Sequence, residues 1–251
     1  MPLADYEGWM AGAYDAGRSL APEAVAAWAA AARPWLAGTG PVVDLGAGTG
    51  RFSGHLVAWS GGPVVAVEPT AAMAARAAAK GLTGVRVVRG GAEDLPLAPG
   101  SVRAVWMSQV VHHVDDLGRA AGELARVVRP GGHVLIRGQM AEDLGDPLPL
   151  LYRYFPAARD LAVALPGRAR VVTVLQPAGF DEVLATTVEQ VTAASLQEFH
   201  DRQATRADSL LASIDDRDFA AGLDALARDA ATEGPPAPVV DRLTLLVLRR
   251  R

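Results

Sequence analysis

The 251-residue chain is half hydrophobic and 21% charged, a composition that supplies ample apolar surface for a core and excludes disorder. Its 24 Lys and Arg against 28 Asp and Glu give a net charge of -4 with no basic stripe, so nucleic acid is not an expected partner. Cysteine is absent, which excludes disulfides, thiolate metal sites and a cysteine nucleophile. No apolar stretch reaches the length of a membrane span or follows a basic leader, so the chain is expected to be cytoplasmic and not embedded in a membrane.

From Ala4 to Ala37 the pattern is helical, with Val25, Trp28, Ala29, Ala32 and Trp35 on one face and Pro22 suited to a first helical turn. Apolar runs then alternate with amphipathic stretches. Pro41–Asp44, Val64–Glu68, Val85–Arg89, Val102–Met107 and His133–Arg137 read as parallel strands, and Arg51–Ala58, Ala71–Lys80 and Leu117–Val128 read as the helices that cross between them. After Arg137 the regularity gives way to a stretch rich in Pro, Tyr and Arg that runs to about Ala169. A helix near Val171–Ala178, a stop at Gly179-Phe180 and a strand around Val183–Val191 follow. A second, helical insertion over about 193–231 leads through the Gly234–Pro238 linker to a last strand, Val239–Leu248.

The most informative stretch is Val42-Val43-Asp44-Leu45-Gly46-Ala47-Gly48-Thr49-Gly50, a strand that runs into a glycine-rich turn and then a helix. Glycine suits backbone that turns tightly or lies close to a ligand, though such a turn alone fits a dinucleotide, a phosphate or nothing. Asp44 sits where a pyrophosphate would be repelled and an ammonium favoured. Glu68 ends the second strand 24 residues later, where a carboxylate can accept hydrogen bonds from ribose hydroxyls. A nucleoside joined to an amino acid fits both.

These residues resemble the class I S-adenosylmethionine-dependent methyltransferases, in particular the group similar to the ubiquinone and menaquinone biosynthesis enzymes. The resemblance extends through Val67-Glu68-Pro69-Thr70 with Met73, Gly91-Ala92-Glu93-Asp94-Leu95-Pro96-Leu97, Ser108–Val114 and Leu124–Gly132. It implies a Rossmann-like α/β fold: a seven-stranded, mostly parallel sheet with helices on both faces, an antiparallel last strand, and a cap made of N-terminal helices and two helical insertions. A single domain over 1–251 is expected, with lid helices at 1–38, a cofactor core at 39–139, cap insertions at 140–170 and 192–234, and the final strand at 235–251.

The resemblance also implies S-adenosylmethionine as cofactor. Gly46, Ala47, Gly48 and Gly50 would surround its methionine portion with Asp44, Glu68 would hold the ribose beside Pro69 and Met73, Ala92 and Glu93 would border the adenine, and Gln109 would flank the sulfonium. Tyr14-Asp15-x-x-Arg18 looks like the family's lid helix, which makes Tyr14 and Arg18 lid candidates, Tyr14 with a catalytic role. Relatives often carry Asp where this chain has Gly91, and an Asp where it has Arg103.

His112 and His113 follow the fourth strand at the sheet's carboxyl edge, and each reads either as a substrate-facing catalytic group or as a structural histidine, with His112 favoured for the site and His113 for structure. No metal is expected; Asp115 or Asp116 suits a helix N-cap better than a ligand set. Leu150–Phe155 is an aromatic and basic cluster that reads as a pocket wall or as packing, and Tyr6 and Trp9 share that ambiguity.

Methyl transfer to O, C or N of a small-molecule acceptor, plausible in specialised metabolism, is the expected activity, by a monomer or homodimer. An NAD-dependent oxidoreductase fits poorly, because Gly46-x-Gly48-x-Gly50 lacks the two-residue gap before the third glycine. A non-enzymatic or regulatory binding protein on the same fold is the alternative.

Overall fold

The computed structural model describes residues 20–145 and 147–251. Among them, seven strands form one sheet in the order β3-β2-β1-β4-β5-β7-β6. The elements are α1 (Pro22–Leu36), β1 (Val42–Leu45), α2 (Ser53–Ser60), β2 (Val64–Glu68), α3 (Ala71–Ala79), β3 (Val85–Arg89), β4 (Val102–Ser108), α4 (Leu117–Val127) and β5 (Val128–Gly138). They continue with α5 (Leu150–Tyr154), α6 (Pro156–Val163), α7 (Arg168–Leu175), β6 (Phe180–Ala193), α8 (Leu196–Ala204), α9 (Ser209–Ser213), α10 (Asp216–Ala231) and β7 (Val239–Arg250).

The first five strands pair in parallel, whereas β7 runs antiparallel to both β5 and β6. This is the expected Rossmann-like sheet with its reversed last strand. The chain winds outward from β1 through β2 to β3 and then returns to β4 on the other side of β1. The loops after β1 and β4 therefore diverge and leave a crevice at the carboxyl edge, where open α/β sheets bind ligands.

Alternating side chains divide the strands between two cores. Val43, Leu45, Val105, Met107, Val134 and Ile136 face α4 and α7. Val42, Ala104, Trp106 and Leu135 face α1 and α2. The α1 stripe is centred on Ala24, Trp28, Ala32 and Leu36, each at most 1% exposed. Trp28 meets Trp106 edge-on at 6.0 Å, and Phe52 and Trp59 complete the cluster.

Three strands are longer than their apolar runs indicate. β5 starts at Val128, before Pro130-Gly131-Gly132, because Val128 pairs with Val102 across a bulge in the β4 register. β6 and β7 extend each other by antiparallel pairing from Phe180↔Arg250 to Ala193↔Val239, through the polar Thr186-Thr187 step. Arg103 is buried at the opposite end of the sheet, where its Nη2 donates to the Ser60 carbonyl at 2.8 Å. It thereby satisfies an orphan carbonyl at the end of α2.

The two insertions pack on each other. Tyr152, Phe155, Ala158 and Ala162 of the first share a core with Leu210, Leu211 and Ile214 of the second, and Phe155 stacks on Phe219 at 5.9 Å. Gly222 lies so close to Phe155 that a Cβ there would fall 2.5 Å from its ring. No helix among the described residues is long and apolar enough to cross a membrane.

Because Trp28 is fully buried among Trp106, Arg137 and Gln190, Trp28→Ala should destabilise the chain by about 3–5 kcal/mol. Urea denaturation measures this, and a loss of about 1 kcal/mol or less would show that α1 contributes little to the sheet's stability.

Candidate active site

Two cavities open at the carboxyl edge of the sheet. One, of about 360 Å³, lies over the crevice and is lined by residues from the turns after β1, β2, β3 and β4. Glu68 is its acidic wall and is only 5% exposed. Its Oε2 accepts from Gly48 N–H at 2.8 Å and its Oε1 from Thr70 N–H at 2.9 Å. A carboxylate has about four lone-pair sites, so accepting these two bonds leaves acceptor capacity toward the cavity.

The glycine turn is held open by its backbone. Gly46 and Gly48 have φ of 67° and 57°, in the left-handed region that glycine enters without cost, and Gly46 N–H donates to the Val67 carbonyl at 2.8 Å. A Cβ on Gly46 would lie 2.5 Å from Val110, so the turn after β1 and the segment after β4 close the cavity floor by direct contact.

Of the sequence-predicted cofactor residues, Gly46, Gly48, Glu68, Pro69, Met73, Ala92, Glu93 and Gln109 line this cavity, whereas Asp44, Ala47 and Gly50 do not. Tyr14 and Arg18, with Tyr6 and Trp9, lie outside the described residues. Asp44 points to the α1/α2 side of the sheet, 2% exposed, and accepts the Ser53 hydroxyl at 2.7 Å. Burial pushes its carboxyl up to about 7; the Ser53 bond and Arg51 oppose the rise and Glu68 adds to it. Asp44 thus sits behind the glycine turn and braces the start of α2.

Glu93 stands beside Gly91, but its Oε1 accepts from Asp115 N–H at 3.0 Å and Asp116 N–H at 3.3 Å. It pins the loop ahead of α4, whose N-cap is Asp116 through its bond from Arg119 N–H. The sequence reading missed Thr70, Ser108 and Val110 as wall residues. Ser108 and Val110 had a local signal, since they flank Gln109 in the same motif.

The second cavity, of about 140 Å³, lies between the sheet edge and the cap. Gln109 and His113 line both cavities; His112 lines the second only. The histidine rings are 4.1 Å apart in the short turn Val111–His113. His113 therefore borders both cavities, as His112 does not. Gln109 adopts φ of 59° without being glycine, a conformation that costs on the order of 1–3 kcal/mol and concentrates at functional sites. Its N–H bond to the Arg137 carbonyl at 2.7 Å holds it there. Tyr152 extends from the cap core into the second cavity and donates to Gln139, so the Leu150–Phe155 cluster serves both packing and cavity wall. No group of three metal-ligating side chains is placed to hold an ion among the described residues.

Residues 43–136 match the family model of a methyltransferase domain. This part of the chain is thus similar to methyltransferase domains. An uncharacterized methyltransferase of Mycobacterium tuberculosis is 43% identical over 140 residues, 53% of this chain and 52% of the relative. The chain thus spans about half the length of the curated relatives it matches. A geranyl diphosphate methyltransferase solved with S-adenosylmethionine shares the fold at TM-score 0.56 and 20% identity, over 90% of this chain and 85% of its own. The [4+2]-cyclase SpnF does so at TM-score 0.62 and 18% identity, over 93% and 84%.

The acidic strand end, open glycine turn and apolar Met73 wall of the larger cavity suit a nucleoside joined to an amino acid.

The raised Asp44 carboxyl has a consequence for stability. The unfolded carboxyl releases its proton near pH 4 and the folded one near 7, so between these values unfolding releases a proton and stability falls as pH rises. Asp44→Asn removes this dependence: wild type should lose about 4 kcal/mol relative to the variant between pH 4 and 7. Urea titrations of both proteins across that range measure the difference, and parallel curves would show that Asp44 titrates normally.

Proposed function

We propose that the chain transfers a methyl group from S-adenosylmethionine to a small-molecule acceptor held beneath the cap. The observation that carries this reading is the shared wall: Gln109 and His113 border both cavities, so a cofactor in one meets an acceptor in the other at these two residues. When bound, the cofactor supplies an electrophilic methyl group on a positively charged sulfur.

The chain's own contribution is placement and exclusion of water. Glu68, Gly46, Gly48 and Met73 hold the cofactor, with Pro69, Ala92 and Glu93 around its base. The Gln109 backbone, fixed in its strained conformation, keeps the wall between the two ligands in place. For a hydroxyl acceptor, His112 or His113 takes the proton; a carbon or amine nucleophile needs only to be positioned. Tyr152 and the two packed insertions cover the acceptor side. The fold itself does not separate this activity from others, since a cyclase shares it.

Calorimetric titration with S-adenosylmethionine, S-adenosylhomocysteine and NAD tests the reading. Both adenosyl ligands should bind saturably and NAD should not, and Glu68→Ala should weaken the adenosyl ligands at least about ten-fold by removing one charged hydrogen-bond partner. Binding of none would favour a non-enzymatic protein. With an acceptor in hand, His112→Ala and His113→Ala should each reduce turnover more than acceptor affinity, and an unchanged rate in either would make that residue structural.

A further inference from the structure

The fold gathers arginines from separate strands at the amino edge of the sheet, away from both cavities. Arg103 lies at the start of β4, Arg129 at the start of β5 and Arg249 at the end of the antiparallel β7. Elsewhere arginines are neutralised: Arg126, Arg168, Arg202, Arg206 and Arg251 each pair with a carboxylate. At this edge they are not. Arg129 is half-buried, yet among the described residues it makes no hydrogen bond, ion pair or ring contact. Arg103 is 4% exposed; its Nη2 donates to the Ser60 carbonyl, and its Nε is buried without a partner among the described residues. Burial, and then the neighbouring Arg129 charge, push the Arg103 guanidinium down from the usual arginine range, and no carboxylate among the described residues offsets them.

The turn after α1 lies against both side chains. A Cβ on Gly38 would fall 3.8 Å from Arg103 Cδ and 3.8 Å from Arg129 Nη2, and one on Gly40 would fall 3.8 Å from Arg129 Nη1. Both glycines are exposed, with φ of 125° and 97°, and carry no side chain to screen the Arg129 guanidinium from solvent. Arg249 extends the cationic edge as the register partner of His133. Burial, with the Arg249 charge beside it, holds that imidazole below its usual range against a bond to the Trp35 backbone. Asp181, the register partner of Arg249 on β6, is already bound to Arg251 at 2.7 Å.

Like charges held side by side cost stability, and Arg129 returns no hydrogen bond within the described chain to offset that cost. A bound anion would supply the missing counter-charge, and a guanidinium fork matches the oxygens of a phosphate group in a two-point contact. A phosphate group carries close to two negative charges near neutral pH, which suits a pair of cations better than a single-charged carboxylate does. We propose that Arg129 and Arg103, with the Gly38–Gly40 turn, form a binding site for a phosphate group, carried by a free phosphate ion or by a phosphate monoester. Arg129 supplies the donors at the surface and Arg103 the charge behind it.

The test is calorimetric titration of the full chain with inorganic phosphate, methyl phosphate and acetate, at one ionic strength fixed with sodium chloride. At least one of the phosphates should bind saturably and at least about ten-fold tighter than acetate, and the tighter of the two names the source as free ion or ester. Arg129→Gln should weaken that phosphate at least about ten-fold. Without phosphate the variant should melt no lower than wild type, because the substitution removes one of two repelling charges. Wild type that binds neither phosphate, or binds acetate as tightly, overturns the proposal. Undiminished binding by Arg129→Gln also overturns it, since the anion then sits elsewhere on the chain. So does a melting temperature of the variant lower by more than about 3 °C, which would make Arg129 a structural residue.

Discussion

The larger cavity at the carboxyl edge of the sheet depends on one carboxylate. Glu68, at the end of β2, accepts the Gly48 and Thr70 backbone N–H groups through separate oxygens, and so ties the turn after β1 to the turn that begins α3. Charge-assisted bonds of this kind are stronger than neutral ones, and here they fix two backbone segments with one buried side chain. The glycine turn needs such a fastening, because residues free to enter the left-handed region are also the ones that lose the most conformational entropy on ordering.

A second fastening lies on the other side of β1. The β4 strand ends in Gln109, whose left-handed backbone is held by the Arg137 carbonyl, and the side chain of Arg137 in turn orders Ser108 and Gln190. The same β5 residue therefore contributes its backbone to the wall between the cavities and its guanidinium to the lining of the smaller one. Moving Arg137 would disturb the Gln109 turn as well as the smaller cavity, which couples the geometry of the two cavities through one strand.

The sheet was legible in the sequence because its inner strands β1, β2 and β4 are buried on both faces and read as short apolar runs, with β2 and the edge strand β3 matching residue for residue. Strand ends that depend on pairing were not: nothing in Val128-Arg129-Pro130-Gly131-Gly132 signals a strand until Val102 of β4 pairs with Val128. The larger cavity was legible for a similar reason, since its walls are turns that immediately follow strands and each motif is local. Asp44 shows the limit of that logic. Its position at a strand end suggested a ligand contact, but its side chain emerges on the α1/α2 face and meets Ser53, an outcome that one-residue alternation along β1 decides. The buried arginines were also hidden, because Arg103 and Arg137 donate to Ser60 and Gln190, 43 and 53 residues away.

The smaller cavity differs in how it is built. Its walls come from Leu20, Arg51 and the turn after β4 as well as from β5, the first insertion, the β6–β7 pair and the second insertion, so they span Leu20 to Leu243 and no single local motif describes them. The match to the methyltransferase domain stops at residue 136, one residue before Arg137. The chain thus separates a larger cavity, assembled from adjacent turns of one sheet, from a smaller one that also needs tertiary packing of distant segments. Substitutions in the cap core around Tyr152, Phe155 and Leu211 can reshape the smaller cavity without touching Glu68 or the glycine turn, because the cap core contains no residue of the larger cavity. Gln109 and His113 are the points where the two cavities meet, so a change on the cap side leaves the larger cavity intact as long as those two keep their places.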